Sequence, residues 1–151
     1  MPLALTLAYV LHTLFAGLWV GAVAFTAWKV VPAAKAGDAT PESLAAVAGG
    51  LSTLTRVAAL LFLATGGYMA ATVYGSEGLF APPRGHLVLT MLGLWIVMTG
   101  LVEVATSRID DATAENKVRT GAREAGTLLT AAAGVGVVLL CIGGYLVAPP
   151  L

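Results

Sequence analysis

Four long apolar stretches, separated by short polar or charged segments, dominate the hydropathy pattern of this chain. Residues 3–28 contain no charged side chain, and this run exceeds the ~20 apolar residues that cross the hydrocarbon core of a bilayer. Because three more apolar runs follow, the first is predicted to be a retained membrane helix rather than a cleaved signal peptide. The pattern predicts four helices, at about residues 2–31, 41–74, 83–107 and 118–148.

Residues at the predicted helix ends support these boundaries. Pro32 is expected to end the first helix, because proline disrupts a helix interior. Thr40 and Pro41 are typical of the N-cap and the first position of the second helix. The fourth helix carries Gly134, Gly136, Gly143 and Gly144, which predict close backbone packing. The chain is predicted to be one all-α domain over residues 1–151, an integral membrane up-and-down four-helix bundle.

Composition leads to the same class of protein. Hydrophobic residues make up 58% of the chain and charged residues 11%, whereas soluble domains carry about 25% charged residues. The net charge is zero, so no electrostatic field favours nucleic acid as a partner. The predicted partners are the lipid bilayer and, beyond it, a membrane redox partner or a second copy of the chain.

The distribution of basic residues predicts the orientation in the membrane. Seven of the eight basic residues lie on the side of the first and third loops, and Arg84 alone lies near the second loop. By the positive-inside rule, the first and third loops are predicted to be cytoplasmic and both termini outside, in a multi-pass protein of the cell membrane. Four charged residues are expected to gather at the cytoplasmic helix ends, where ion pairing or snorkelling is the default: Arg56, Glu103, Arg123 and Glu124.

The two histidines, His12 and His86, lie on the first and third predicted helices, which run in the same direction. His12 precedes Lys29 by 17 residues, as His86 precedes Glu103, so each lies ~25 Å from the cytoplasmic boundary at ~1.5 Å per residue. Two imidazoles at equal depth on diagonal helices suit a flat cofactor held between them, which predicts bis-histidine haem b. The simpler interpretation is that each histidine only hydrogen-bonds a neighbouring helix or water.

Residues near these histidines fit a haem pocket. Gly93, on the helix face of His86, would leave room for a porphyrin, and Phe15 and Trp19 would form an apolar wall below His12. Arg84 is placed to pair with the haem propionates. The first predicted function is therefore haem b binding for electron transfer or haem handling, as a redox component rather than a stand-alone enzyme.

Two other functions stay open. Soft thioether ligands suit Cu(I), and Met91 and Met98, seven residues apart on one helix face, would line a path for copper transport or copper tolerance. The third function is that of a structural or assembly subunit, held by the glycine-rich faces of the helices. The sequence has no nucleotide-binding loop and no paired-cysteine motif, which argues against soluble-type chemistry.

Two segments resemble a known family. Residues 12–21 resemble the H-x(6)-W-x-G pattern in the first helix of the CopD-like copper-resistance membrane domain, with the sequence HTLFAGLWVG. Residues 54–67 are similar to the R-x-(apolar)-T-G run of that family's second helix, with the sequence LTRVAALLFLATGG. Arg123 and Glu124, before the fourth helix, also match the family.

This resemblance implies a four-helix bundle linked to copper uptake or to haem. His12 matches the family motif, whereas His86 has no counterpart in it. The CopD-like domain and the more distant HemJ-like haem-synthesis proteins usually carry a lysine in the third helix, where this chain has Met91 and apolar neighbours. That departure argues against HemJ-like protoporphyrinogen oxidation.

Overall fold

The structure is a computed structural model that describes residues 2–148. It contains four long helices, α1 (Leu3–Ala36), α2 (Pro41–Val73), α3 (Arg84–Ala114) and α4 (Val118–Val147). A short helix, Gly75–Leu79, lies between α2 and α3, and no strand occurs within the described residues. All four long helices are long and apolar enough to cross a membrane. The predicted all-α membrane bundle of four helices is confirmed.

Each long helix packs against its neighbours in the chain, and α4 also packs against α1. The contacts close a ring of four helices, so α1 and α3 occupy opposite corners. This is the diagonal arrangement predicted for an up-and-down bundle. A side chain of α1 therefore meets α2 or α4 directly.

The first helix continues through Pro32, where the sequence predicted its end. A π-helical turn, Thr26–Val30, ends two residues before the proline, and the α-helix resumes at Val31 and continues to Ala36. The wider turn relieves the clash between the proline ring and the preceding turn of the helix. It also accommodates the backbone hydrogen bond that proline, which has no N–H group, cannot donate. Gly37 ends the helix with a φ of 96°, a left-handed conformation that glycine adopts without strain.

The start of α2 follows the predicted capping. Thr40 is the N-cap, Pro41 is the first helical residue, and the Thr40 hydroxyl accepts a hydrogen bond from the backbone N–H of Ser43 at 3.2 Å. The Ser43 hydroxyl in turn accepts from the backbone N–H of Thr40 at 3.1 Å. This reciprocal capping box satisfies two backbone donors at the helix start.

The packed core occupies one half of the bundle. Its largest buried side chains include Trp19 on α1, Leu44 on α2, Ile109 on α3 and Leu129 on α4. Beyond this core, no residue is buried in residues 63–73 of α2, 86–97 of α3 or 137–147 of α4. Residues 9–18 of α1 likewise contain no buried residue, and we call the part of the bundle that these four segments form the open half. Few buried contacts mean low local stability, so the open half is where the bundle can most readily admit a ligand.

Close contact between α3 and α4 depends on glycine. A Cβ atom on Gly121 would lie 2.6 Å from Cβ of Ala112 and 3.5 Å from the carbonyl oxygen of Arg108, neither of which can move away alone. At Gly136 it would lie 2.9 Å from Cγ1 of Val20 on α1 and 3.1 Å from Cε of Met98 on α3, so the predicted close packing occurs there. The same prediction is wrong for Gly134 and Gly144, where a Cβ would have no neighbour within 4 Å.

Replacing Gly121 with alanine is expected to lower the thermal unfolding temperature, and replacing Gly134 with alanine is expected to leave it unchanged or raise it. Overpacking costs about 1–3 kcal/mol, which outweighs the roughly 1 kcal/mol that alanine gains over glycine in a helix. Circular dichroism of the purified variants in detergent would measure both shifts. Equal shifts for the two variants would contradict the close approach of α3 and α4 at Gly121.

Candidate functional site

His12 lies in the open half, half-buried, with its imidazole against α2. Its Nδ1 is 2.8 Å from the hydroxyl oxygen of Thr65, and that hydroxyl donates to the carbonyl oxygen of Leu61 at 2.7 Å. When the Thr65 hydroxyl donates its single proton to Leu61, it can only accept from His12, so we assign the His12 proton to Nδ1 from this pairing. In that tautomer the lone pair on Nε2 is available to a ligand.

Neighbouring side chains of α2 fix the plane of the His12 ring. The ring of Phe62 lies beside it, with centroids 4.9 Å apart and planes tilted by 58°. On the next turn Gly66 has no side chain, and a Cβ there would lie 3.2 Å from Cε1 of His12. The imidazole therefore rests in a shallow site made by one aromatic ring, one hydroxyl and one missing side chain.

A second contact of the same kind lies deeper in the bundle. The indole Nε1 of Trp19 donates to the hydroxyl of Thr55 at 2.9 Å, and Thr55 donates to the carbonyl oxygen of Leu51 at 2.8 Å. Phe62 lies between the two contacts, with its ring centroid 5.7 Å from that of Trp19. Two ring N–H groups of α1 thus reach threonines of α2 and fix how the two helices face each other.

The predicted haem residues of α3 lie elsewhere. His86 is exposed, and its Nε2 is 3.1 Å from the carbonyl oxygen of Phe80. Gly93 is exposed on the outer surface of α3, and a Cβ there would meet nothing within 4 Å. Arg84 donates to the carbonyl oxygen of Ala148 at 3.1 Å. The hydrogen-bond partners of His86 and Arg84 are therefore different from the partner of His12. The positions of His86, Gly93 and Arg84 do not support bis-histidine haem b, which stays a prediction.

The apolar wall predicted below His12 is part of the bundle interior. Trp19 is only 2% exposed, and Phe15 is half-buried against the core. The face of α1 that carries His12 thus turns inward, whereas the face of α3 that carries His86 turns outward.

The methionines proposed for a copper path pack against glycines of α4. Met98 is fully buried, and its Cε would lie 3.1 Å from a Cβ on Gly136. The Cε of Met91 would lie 3.7 Å from a Cβ on Gly143. Flexible methionine side chains commonly fill such gaps, so packing accounts for both residues, and their role as copper ligands stays a prediction.

A polar cluster joins α2 and α3 beyond the core. Arg56 forms an ion pair with Glu103 at 3.0 Å, and the hydroxyl of the buried Ser52 donates to the same carboxylate at 3.1 Å. Of the four charged residues expected at the cytoplasmic helix ends, Arg56 and Glu103 form an ion pair, and no ion pair of Arg123 or Glu124 occurs among the described residues. Since the side chain of Arg56 is 73% exposed, the Arg56–Glu103 pair adds little stability.

No group of three or more histidine, cysteine or acidic side chains that could hold a metal ion occurs within residues 2–148. Cys141 is exposed on α4.

Sequence reasoning identified His12 and missed its partner. Thr65 and Thr55 are hydroxyl side chains in an otherwise apolar helix, and each hydrogen-bonds a ring nitrogen of α1. Polar side chains within a membrane helix commonly bond across helices, and this was the available signal. Their pairing with His12 and Trp19 requires the relative register of α1 and α2, which the sequence does not give.

Comparison with known proteins identifies one family. The family model for Copper resistance protein D matches residues 45–146, which run from the first turns of α2 to the end of α4. No match was found among curated proteins or among solved structures. The matched segment includes Thr65 and Gly66, the α2 side of the His12 contact, and it extends over well over half of the chain. The first-helix motif at residues 12–21 lies outside the matched residues, and the resembling segment at residues 54–67 lies within them. The chain belongs to the copper resistance protein D family.

Proposed function

We propose that this protein binds and transports copper in the membrane, with Cu(I) as its cargo and Nε2 of His12 as a ligand. The observation that carries the copper assignment is the match to the Copper resistance protein D family over residues 45–146. The orientation of the bundle in the membrane, with the first and third loops cytoplasmic, stays a prediction.

The hydrogen bond to Thr65 is what suits His12 to this role. Metal-binding histidines characteristically donate their other ring N–H to an oxygen, which fixes the tautomer and orients the metal-binding nitrogen. In His12 the Nδ1–H donates to Thr65, whose own proton is taken by Leu61. The remaining nitrogen is a neutral imidazole donor, a ligand type that copper accepts.

Access to His12 also supports the proposal. The side chain lies where the bundle has few buried residues, at the edge of the packed core formed around Trp19 and Phe62. A cargo ion needs a site that it can leave as well as enter. A single half-buried imidazole in a loosely packed region meets this need better than a closed cage of ligands.

Copper flux into proteoliposomes tests the function. Vesicles that contain the purified protein and an internal Cu(I) chelator are expected to accumulate copper faster than protein-free vesicles under reducing conditions. His86→Ala should retain the flux, because its imidazole contacts only the Phe80 carbonyl at the exposed end of α3. Equal copper accumulation with and without the protein would refute transport.

A further inference from the structure

Two buried polar atoms have no hydrogen-bond partner among the described residues, Nε1 of Trp95 and Oγ1 of Thr99. The two residues are four apart on α3, so their side chains lie on the same face of the helix, one turn from each other. A polar group without a partner is strongly unfavourable where water is excluded. Two such groups side by side therefore indicate a shared ligand.

The hydroxyl of Thr99 differs from those of the other threonines in α3. Thr90, Thr106 and Thr113 all donate to a backbone carbonyl of their own helix. Such intrahelical bonds are the usual outcome for threonine in a helix. Thr99 makes none, so its proton is free to be donated to a group outside the helix.

Neighbouring residues locate these two atoms inside the bundle. Met98, next to Thr99, packs towards Gly136 of α4, and Glu103, one turn further along α3, contacts Ser52 of α2. Trp95 packs against the buried core. The face that carries Trp95 and Thr99 therefore borders the contact between α2 and α3, which we call the α2–α3 seam. It lies at the level where the packed core ends and the open half begins.

We propose that the indole N–H of Trp95 and the hydroxyl of Thr99 together bind a water molecule in the α2–α3 seam. Indole nitrogen can only donate, so the ligand must accept a hydrogen bond from Trp95, whereas the Thr99 hydroxyl can donate to the ligand or accept from it. Water can form both bonds and still donate its own protons, and buried waters typically make about three hydrogen bonds.

A small anion is the other class of acceptor, and the charge nearby disfavours it. The carboxylate of Glu103 lies one turn from Thr99 on the side of α3 that faces α2. A second negative charge in this weakly screened region would be repelled. Water at Trp95 and Thr99 continues the polar cluster of Ser52 and Glu103 into the membrane, towards the level of His12. This site does not depend on the proposed copper function.

Thermal unfolding of three variants tests the site: Trp95→Phe, Thr99→Val, and the double variant. If both residues bind one water, each single variant lowers the unfolding temperature by about 2–4 °C, the effect of one lost hydrogen bond in a chain of this size. The double variant should lower it no further than a single variant, because an apolar site then releases the water. If no ligand is bound, each substitution removes an unpaired polar atom and raises the unfolding temperature, which would overturn the proposal.

A control variant and two further measurements distinguish a bound water from an anion and from an empty site. Thr106→Val loses only a bond within α3, so its effect should add to that of Trp95→Phe. In ¹⁵N-labelled wild-type protein, the Trp95 indole proton, assigned by its absence in Trp95→Phe, should show a cross-peak to water. Absence of this cross-peak would overturn the proposal. A rise in unfolding temperature with added chloride that Thr99→Val abolishes would assign the site to an anion and also refute the water.

Discussion

Replacing Trp19 with alanine is expected to lower the free energy of unfolding by about 3 kcal/mol, the largest loss of stability that we expect from a single substitution here. Trp19 is 2% exposed, packs beside Phe62, and donates to Thr55. Tryptophan to alanine changes in aqueous cores cost about 3–5 kcal/mol, and the lower end applies here because lipid is as apolar as the bundle interior. Denaturant titration of the purified protein in mixed micelles would measure the loss.

Two further variants separate packing from hydrogen bonding at Trp19. Trp19→Phe keeps most of the packing and loses only the bond to Thr55, whose hydroxyl still donates to Leu51. Its cost should be about 0.6 kcal/mol, the average for interhelical bonds in a membrane protein. Trp28→Ala removes a tryptophan that is 57% exposed and should leave the stability of the bundle nearly unchanged. If Trp19→Phe cost as much as Trp19→Ala, packing around Trp19 would not be what holds α1 to α2.

The helices could be predicted from the sequence because their causes are local. Uncharged stretches predicted the four membrane-spanning segments, and the N-cap Thr40 predicted the first residue of α2 to within one position. The end of α1 could not be predicted, because a π-helical turn at Thr26–Val30 carries the helix through Pro32. Proline alone predicts that a helix ends. Whether a wider π-helical turn lets the helix continue past the proline depends on the packing of the surrounding helices.

The rotation of each helix about its own axis was harder to predict than its length. In a soluble bundle, the apolar face of a helix identifies its buried side. In a membrane bundle, lipid and core are both apolar, so α3 shows no such contrast. The exposed Leu92, Ile96 and Val97 resemble the buried Met98 and Val102 in polarity. Equal depth of His12 and His86 stays a prediction, and the sequence could not show that the faces carrying them point in different directions.

Loss of His12 is expected to have the largest effect on copper binding. His12→Ala should weaken Cu(I) binding by more than the roughly 10–100-fold that follows loss of a residue that only orients a ligand. Thr65→Val should fall within that range, because Nε2 remains while Nδ1 loses the acceptor that fixes its tautomer. Competition with a coloured Cu(I) chelator under reducing conditions would measure both affinities, and His86→Ala, a histidine exposed elsewhere in the chain, should leave the affinity unchanged.

The order of these effects distinguishes a ligand from a structural histidine. If His12 only joined α1 to α2, His12→Ala and Thr65→Val would lower stability alike and leave Cu(I) affinity unchanged, since each removes the same 2.8 Å hydrogen bond. If His12 is a ligand, His12→Ala and Thr65→Val should lose similar amounts of stability, whereas His12→Ala should lose much more Cu(I) affinity than Thr65→Val. Gly66→Ala adds a third position, because its new Cβ would press on Cε1 of His12 from 3.2 Å and turn the ring. It should weaken Cu(I) binding while both His12 and Thr65 are still present, which would tie the affinity to the orientation of the imidazole.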